Sequence, residues 1–119
     1  MRYRIAIAST DGKVVNQHFG RADTFYIIEA DSKDMTYEYR ETRRLNPICE
    51  GGEHDDSHLL ETVQQLKDCS YVLVSRIGYL AQMILEQKGI HVFELPGMIP
   101  EVIHKVSAYI EVQRLYGQN

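Results

Sequence analysis

The middle of the chain contains a polar stretch, NPICEGGEHDDSH, whose side chains could bind a metal. It brings together Cys49, His54 and His58, and thiolate and imidazole suit zinc, copper or iron–sulfur species better than magnesium or calcium. His54 and His58 would share a face if a helix begins early enough. However, the C-x4-H-x3-H spacing matches no common structural zinc pattern, and a fourth ligand is missing nearby. A metal or metallocluster contact and a solvated polar loop therefore both stay open.

A second candidate loop, NQHFGRAD, carries His18 close to Gly20. A histidine in a loop can expose its ring to a ligand, and the glycine permits a tight turn or close backbone approach. The alternative is a plain connection between strands, with Phe19 anchored in the core. His91 and His104 fall inside a predicted strand and a predicted helix, and we interpret them as surface or structural residues.

The segment VSRIGYLA predicts a turn between a strand and a helix, and it contains Ser75, Arg76 and Gly78. In open α/β sheets, ligands favour the crevice beyond the carboxyl ends of the strands. A helix N-terminus at that place could bind an anionic ligand. The signal is weak, because the segment has neither a GxGxxG nor a Walker sequence. Cys69 precedes an apolar strand and is interpreted as a buried, small hydrophobic residue.

Alternating strands and helices must position these loops. Short apolar or alternating segments predict five strands, at 3–9, 24–31, 35–45, 71–75 and 90–95. Apolar residues at helical spacing predict three helices, in SHLLETVQQLKD, in IGYLAQMILEQKG and from near Pro100 onward. The inward stripe of the second helix is predicted to be Ile77, Leu80, Ala81, Ile84 and Leu85. Right-handed crossovers make the later strands parallel. The sequence thus predicts one α/β domain over residues 1–119, a mixed sheet in the order 3-2-1-4-5 with strand 2 antiparallel and helices on its faces.

Composition excludes several classes of protein. The 119 residues carry a net charge of −4, and a nucleic-acid binder without sequence preference would need a positive surface. No apolar run approaches the roughly 20 residues that span a bilayer, and the first residues are too polar for a signal peptide. The two cysteines lack C-x-x-C spacing. We therefore expect a cytoplasmic protein with reduced thiols that binds neither nucleic acid nor membrane.

The order of the motifs resembles that of a known family. IAIASTDGKVVNQHFGRADTFYIIE is similar to the opening of the dinitrogenase iron–molybdenum cofactor biosynthesis family, of the NifX type and the C-terminal domain of NifB, with its H-F-G-x-A loop and aromatic strand. The stretch from RRLNPICEGG to GIHVFE resembles the middle of the NifB-type domain, with C-x-G, L-x-D-C, S-R-I-G and G-I in the same order. The chain lacks the radical-SAM C-x3-C-x2-C motif, which distinguishes it from the catalytic half of NifB.

This resemblance implies a ribonuclease H-like fold and a role in binding or carrying an iron–sulfur-containing metallocluster, such as a precursor of the nitrogenase iron–molybdenum cofactor. It implies no enzymatic activity of its own, and its partners would be the proteins that donate and accept the cluster. A regulatory or protein-interaction domain without a cluster, and a simple zinc or copper binder, are the alternatives. A nuclease is disfavoured, because the first strand, YRIAIAS, offers no carboxylate for a two-metal site.

The same resemblance implies specific site residues. His18 and Cys49 become candidate ligands of the cluster, with His54 as a third, whereas His58 stays a candidate on local grounds only. An iron–sulfur precursor is anionic, and arginines could offset its charge through charge-assisted hydrogen bonds. The arginines near the matched motifs are Arg21, Arg43 and Arg76.

Overall fold

The chain begins with antiparallel strands and continues with alternating strands and helices. The computed structural model describes residues 2–45, 49–50, 53–54 and 56–117. The strands are β1 (Arg2–Ala8), β2 (Val14–Val15), β3 (Thr24–Asp31), β4 (Thr36–Arg44), β5 (Cys49–Glu50), β6 (Glu53–His54), β7 (Tyr71–Val74), β8 (His91–Glu94) and β9 (Gly97–Met98). The helices are α1 (Asp56–Gln65), α2 (Tyr79–Gln87) and α3 (Ile99–Tyr116), with a 3-10 turn at Phe19–Arg21.

The central sheet has five strands, in the order β4-β3-β1-β7-β8 from edge to edge. β3 runs antiparallel to both of its neighbours, β1 and β4, while β1, β7 and β8 run parallel. The prediction of a mixed α/β fold with a five-stranded mixed sheet and three helices is confirmed for the described residues. The sequence of β7, YVLV, is apolar without interruption because other elements cover both faces of this strand.

Two hydrophobic cores lie on opposite faces of the sheet, and the pleat of β1 divides its side chains between them. Ala6 and Ala8 face the core that α1 and α2 cover. Ile5 and Ile7 face the core that α3 covers, and all four side chains are fully buried. The parallel strands β1, β7 and β8 have their carboxyl ends on the same side of the sheet, which we call its carboxyl edge. The loops that follow these strands gather there.

A β-bulge interrupts the outer strand β4. Ile28 pairs with Tyr39 but its neighbour Ile27 pairs with Glu41, so Arg40 is the extra residue. Because directly opposed residues share a face, Tyr39 lies on the α3 side of the sheet. Beyond the bulge, the odd-numbered positions of β4 move to the face of α1. This change of face is what brings Arg43 to the α1 side.

Two details of the sequence prediction are wrong. Leu80 was expected to face inward, but its side chain is 47% exposed. α2 begins at Tyr79, and Leu85 is its fully buried residue. The buried side of the helix therefore does not include Leu80. The VV pair before the NQHFGRAD loop is absent from the five predicted strands, but it forms strand β2, which pairs with β9 in a second, two-stranded sheet.

The longest described helix, α3, has 18 residues and buries one side, while its exposed side mixes polar residues with Val112 and Leu115. Val102, Val106 and Ile110 are among its buried residues, at the spacing that an amphipathic helix needs. In the described part of the chain, no helix combines the length and the apolar character required to cross a membrane.

Candidate functional site

The His18 loop takes the place beside β7 that β1 vacates. β1 pairs with β7 along the middle of the sheet and then turns away. The chain returns to β7, where the Ser75 N–H donates to the Gln17 carbonyl at 3.0 Å and the Phe19 N–H donates to the Arg76 carbonyl at 2.8 Å. These bonds form a parallel bridge between His18 and Arg76. Two predicted site residues, far apart in sequence, are thereby neighbours in a sheet-like pairing.

The HFGR sequence folds with one side chain inside and two outside. Phe19 is fully buried and packs edge-to-face on Phe25, with ring centroids 5.9 Å apart. His18 and Arg21 are exposed on either side of it. The Arg21 N–H donates to the His18 carbonyl at 3.0 Å, which closes a single 3-10 turn through Gly20. Phe19 therefore anchors the loop, as the simpler interpretation proposed, and His18 is nevertheless accessible to a ligand.

The backbone of Cys49 lies beside this turn. Strand β5 contacts the 3-10 turn Phe19–Arg21, with Cα atoms within 8 Å. Cys49 is opposite His54 in the antiparallel β5–β6 pair. The fold thus brings the His18 loop, Cys49 and His54 to one region at the backbone level, and their roles as ligands stay predictions.

The condition under which His54 and His58 would share a helical face, an early start of the helix, is not met. α1 begins at Asp56, so His54 precedes it and lies in β6. His58 is in the first turn of α1 and is partly buried. The physical reason is that the chain forms a short hairpin before it starts the helix. The metal-ligand role of His58 stays a prediction.

The three candidate arginines divide into two groups. Arg21 and Arg76 are exposed and belong to the bridged loops. Arg43 is instead engaged on the α1 side, where its guanidinium forms two bonds to the Asp68 carboxylate, at 2.8 and 2.7 Å, and one to the Gln65 carbonyl at 2.7 Å. Its side chain is 17% exposed. A guanidinium with these partners has little capacity left for a ligand.

The Arg43–Asp68 pair also shifts the ionisation of both groups. Hydrogen bonding to Asp68 raises the pKa of Arg43 above its ordinary value. Hydrogen bonding to Arg43 holds the pKa of Asp68 well below its usual range. Asp68 precedes β7, so its backbone is at the opposite end of that strand from Ser75 and Arg76. This pair is a structural contact between β4 and the end of α1.

Cys69 is buried, as the sequence indicates, with only 4% of its surface exposed. Burial raises the pKa of its thiol to about 12. A buried thiol of this kind is a poor metal ligand, because the thiolate is the binding form. Cys69 therefore acts as a core residue, and Cys49 is the cysteine that stays a candidate.

Sequence reasoning missed Glu94 at the end of β8. Its Oε2 accepts a hydrogen bond at 2.8 Å from the Ile77 N–H, which follows the bridged Arg76. A carboxylate at the carboxyl end of a parallel strand was the available signal. Nearby, the buried hydroxyl oxygen of Ser75 has no hydrogen-bond partner among the described residues. The carboxyl edge of the sheet thus holds more polar groups than the motifs indicated.

Among the residues whose side chains are described, no group of three or more histidine, cysteine, aspartate or glutamate residues is arranged to hold a metal ion. His91 faces solvent at the edge of the sheet, with its Nδ1 3.3 Å from Glu86 Oε1, and His104 is exposed on α3. Both fit the interpretation of surface histidines.

Comparisons with known proteins agree with the motif order. A family model described as dinitrogenase iron-molybdenum cofactor matches residues 1–109. The chain is 34% identical over 113 residues to the FeMo cofactor biosynthesis protein NifB of Frankia alni, covering 92% of the chain and 22% of that protein. It is 35% identical over 95 residues to NifB of Azotobacter vinelandii, covering 75% of the chain and 18% of that protein. The chain thus spans about a fifth of the length of these relatives.

Solved structures share the fold. The crystal structure of PH0822 superposes with a TM-score of 0.65 at 23% identity, covering 89% of this chain and 91% of that one. A crystal structure from Methanocaldococcus jannaschii superposes with a TM-score of 0.60 at 15% identity, covering 92% of this chain and 91% of that one. The fold agrees with these proteins over nearly their whole lengths. Since the family model covers most of the chain and NifB proteins share about a third of its residues, the chain belongs to the dinitrogenase iron-molybdenum cofactor family.

Proposed function

We propose that this domain is a non-enzymatic carrier or accessory domain that binds an iron–sulfur-containing metallocluster during cofactor assembly. The supporting observation is the convergence of the His18 loop, the bridged Arg76 and the backbone of Cys49 at the carboxyl edge of the sheet. This is the edge at which open α/β sheets bind ligands. Family membership makes a precursor of the iron–molybdenum cofactor the expected cargo.

The chemistry of the candidate ligands suits a cargo that must be released. One thiolate from Cys49 and imidazoles from His18 and His54 form a smaller ligand set, with fewer soft thiolates, than the four cysteines of a closed cluster site. Such a set leaves positions on the cluster for the next protein. His58, at the start of α1, is a further candidate next to the hairpin.

The arginines of the bridged loops would balance the charge of the cargo. Arg21 and Arg76 are exposed beside His18, and a guanidinium can donate charge-assisted hydrogen bonds to cluster sulfides. Arg43 was also proposed for this role, but its bonds to Asp68 and Gln65 make it the weakest of the three. We therefore assign charge compensation to Arg21 and Arg76.

The finer classification of the fold also belongs to this proposal. We infer a ribonuclease H-like class from the family resemblance, and the sheet order β4-β3-β1-β7-β8 with β3 antiparallel supports it. β1 carries no carboxylate within its buried stretch, so a two-metal nuclease site has no support there. The partners are proposed to be the donor and acceptor proteins of cofactor assembly, in the cytoplasm.

Anaerobic reconstitution with iron and sulfide tests this function. The wild-type protein should gain the visible absorption of an iron–sulfur cluster, and the double variant Cys49→Ala/His18→Ala should not. Cys69→Ala/His104→Ala is the matched control, because it removes the same residue types away from the carboxyl edge, and it should load normally. Equal iron content in the two double variants would contradict the assigned site.

Metal analysis of the protein purified without an affinity tag distinguishes the alternatives. Zinc or copper at one ion per chain, with no uptake of iron and sulfide, would identify a simple metal binder. Failure to bind any of these, together with a stable protein partner, would identify a regulatory or interaction domain.

A further inference from the structure

Glu94 contacts the loop that carries Arg76. It is the last residue of β8, and its Oε2 accepts a hydrogen bond at 2.8 Å from the Ile77 N–H. Ile77 lies between Arg76 and Gly78, the residue that precedes α2. The contact therefore joins the end of the edge strand to the turn after β7.

The peptide unit between Arg76 and Ile77 is held from both of its polar sides. Its carbonyl accepts a hydrogen bond from the Phe19 N–H at 2.8 Å. Its N–H donates to the Glu94 carboxylate. In a planar trans peptide these two groups point in opposite directions, so rotation of this unit would break both bonds. The Phe19 bond belongs to the bridge that positions His18.

We propose that Glu94 is a positioning residue for the cluster site: by fixing the Arg76–Ile77 peptide, it sets the direction of Arg76 and the pairing of His18 with it. This role rests on the proposed function, because the site it serves is the proposed one. The partner of Glu94 is a main-chain group, so the carboxylate acts through the loop rather than on the cargo.

The use of a carboxylate here has a consequence for anionic cargo. A negative charge beside Arg76 opposes the binding of an anionic cluster, yet the hydrogen bond needs only an acceptor oxygen. Glu94→Gln keeps an acceptor and removes the charge, whereas Glu94→Ala removes both. Comparison of the two variants separates the hydrogen bond from the charge. Asp34→Ala is the charge-matched control, since Asp34 is exposed in the β3–β4 turn at the other end of the sheet.

The first measurement needs no cargo. Amide hydrogen exchange of Ile77, followed by NMR in the whole protein, should be about tenfold faster or more in Glu94→Ala than in the wild type, because the amide loses its acceptor. Glu94→Gln and Asp34→Ala should match the wild type. Unchanged exchange of Ile77 in Glu94→Ala would overturn the proposal, whether or not a cluster binds.

The second measurement is the rate at which the reconstituted cluster is lost to an iron chelator. Glu94→Ala should lose it several-fold faster than the wild type, with the thermal midpoint unchanged, and Glu94→Gln should hold it at least as long as the wild type. Faster exchange of Ile77 with unchanged cluster loss would overturn the positioning role. If the wild type takes up no cluster, the proposed function fails together with this role, while the exchange measurement still decides the hydrogen bond. If Glu94→Ala does not fold, Glu94→Lys, which also lacks an acceptor, replaces it in both measurements.

Discussion

His18 and Arg76 are main-chain partners in a parallel bridge, at the end of a strand whose earlier partner was β1. The bridge depends on Phe19, which donates to the Arg76 carbonyl and whose ring is fully buried. The accessible histidine is thus attached to the core by the residue that follows it. Stability and site geometry are coupled at this position.

Phe19→Ala should lower the free energy of unfolding by about 3–5 kcal/mol, because it removes a fully buried ring and leaves a cavity next to Phe25. Phe19→Leu should cost less, since it fills most of the volume. Urea unfolding followed by circular dichroism measures both. His18→Ala is the neighbouring control and should change stability by at most about 0.5 kcal/mol, because His18 is exposed. Equal losses for Phe19→Ala and His18→Ala would refute the anchoring role.

Arg76→Ala should speed the loss of a reconstituted cluster by about tenfold, the loss expected when a charge-assisted hydrogen bond is removed. Arg76→Lys should fall between the wild type and the alanine variant, because lysine keeps the charge but not the planar fork. The difference should shrink as salt is added, because Arg76 is exposed. Lys105→Ala removes an exposed positive charge from α3 and serves as the control. The same rate in Arg76→Ala and Lys105→Ala would argue against a role for Arg76.

Asp68→Asn should lower the free energy of unfolding at neutral pH by about 1–2 kcal/mol, a value reduced for solvent screening because the Asp68 side chain is 40% exposed. The pKa of Asp68 is lowered from 3.8 by its bonds to Arg43, so the folded state binds this proton less readily than the unfolded state does. The stabilisation is therefore complete above the unfolded-state value and is lost as the pH falls below about 4 toward the lower folded-state pKa.

Denaturant unfolding of the wild type and Asp68→Asn between pH 7 and pH 2 measures this dependence. The two stability curves should be separated at neutral pH and should converge in acid. Asp34→Asn, in the exposed β3–β4 turn, should follow the wild type. Parallel curves for the wild type and Asp68→Asn down to pH 2 would contradict the linkage.

Cys69 should resist alkylation in the folded protein. With a pKa of about 12, about one thiol in ten thousand is ionised at pH 8, against about one in four for a thiol of ordinary pKa. In the Cys49→Ala variant, iodoacetamide should modify Cys69 at least about a hundredfold more slowly in the folded state than in urea. Mass spectrometry of timed samples gives both rates. Similar rates in the two states would show that Cys69 is accessible.

Much of the fold could be predicted from local patterns because those patterns agree with the tertiary environment. YVLV is uninterrupted because β7 is covered on both faces, and Gly89, which has a φ of 82°, marks the end of α2 in a conformation that glycine favours. Helix α1 was predicted from Ser57 and begins at Asp56. The β5–β6 pair before it was missed, because a two-residue strand has no detectable period.

The candidate site was only partly predictable, because its residues are far apart in sequence and are brought together by the order in which the strands pair. His18, Cys49 and Arg76 could be named from their motifs, but the bridge between His18 and Arg76 depends on which strand β7 pairs with after β1 leaves. Arg43 was misleading for a different reason. Its face is set by the bulge at Arg40, and no pattern in the sequence marks the residue that a bulge will leave unpaired. Glu94 was missed because its partner is a backbone amide, which has no sequence signature.

The bulge in β4 makes the outer strand tolerant of a change in length. Tyr39 and Glu41 already pair with consecutive residues of β3, so the strand would become regular if Arg40 were deleted. The residues on either side would keep their partners, and Arg43 would still reach Asp68. The ion pairs of Arg40 with Glu29 and with Glu38 would be lost. A one-residue deletion at this position is therefore a change that the domain can absorb without displacing the loops at its carboxyl edge. Members of the family that lack the bulge would share the same site.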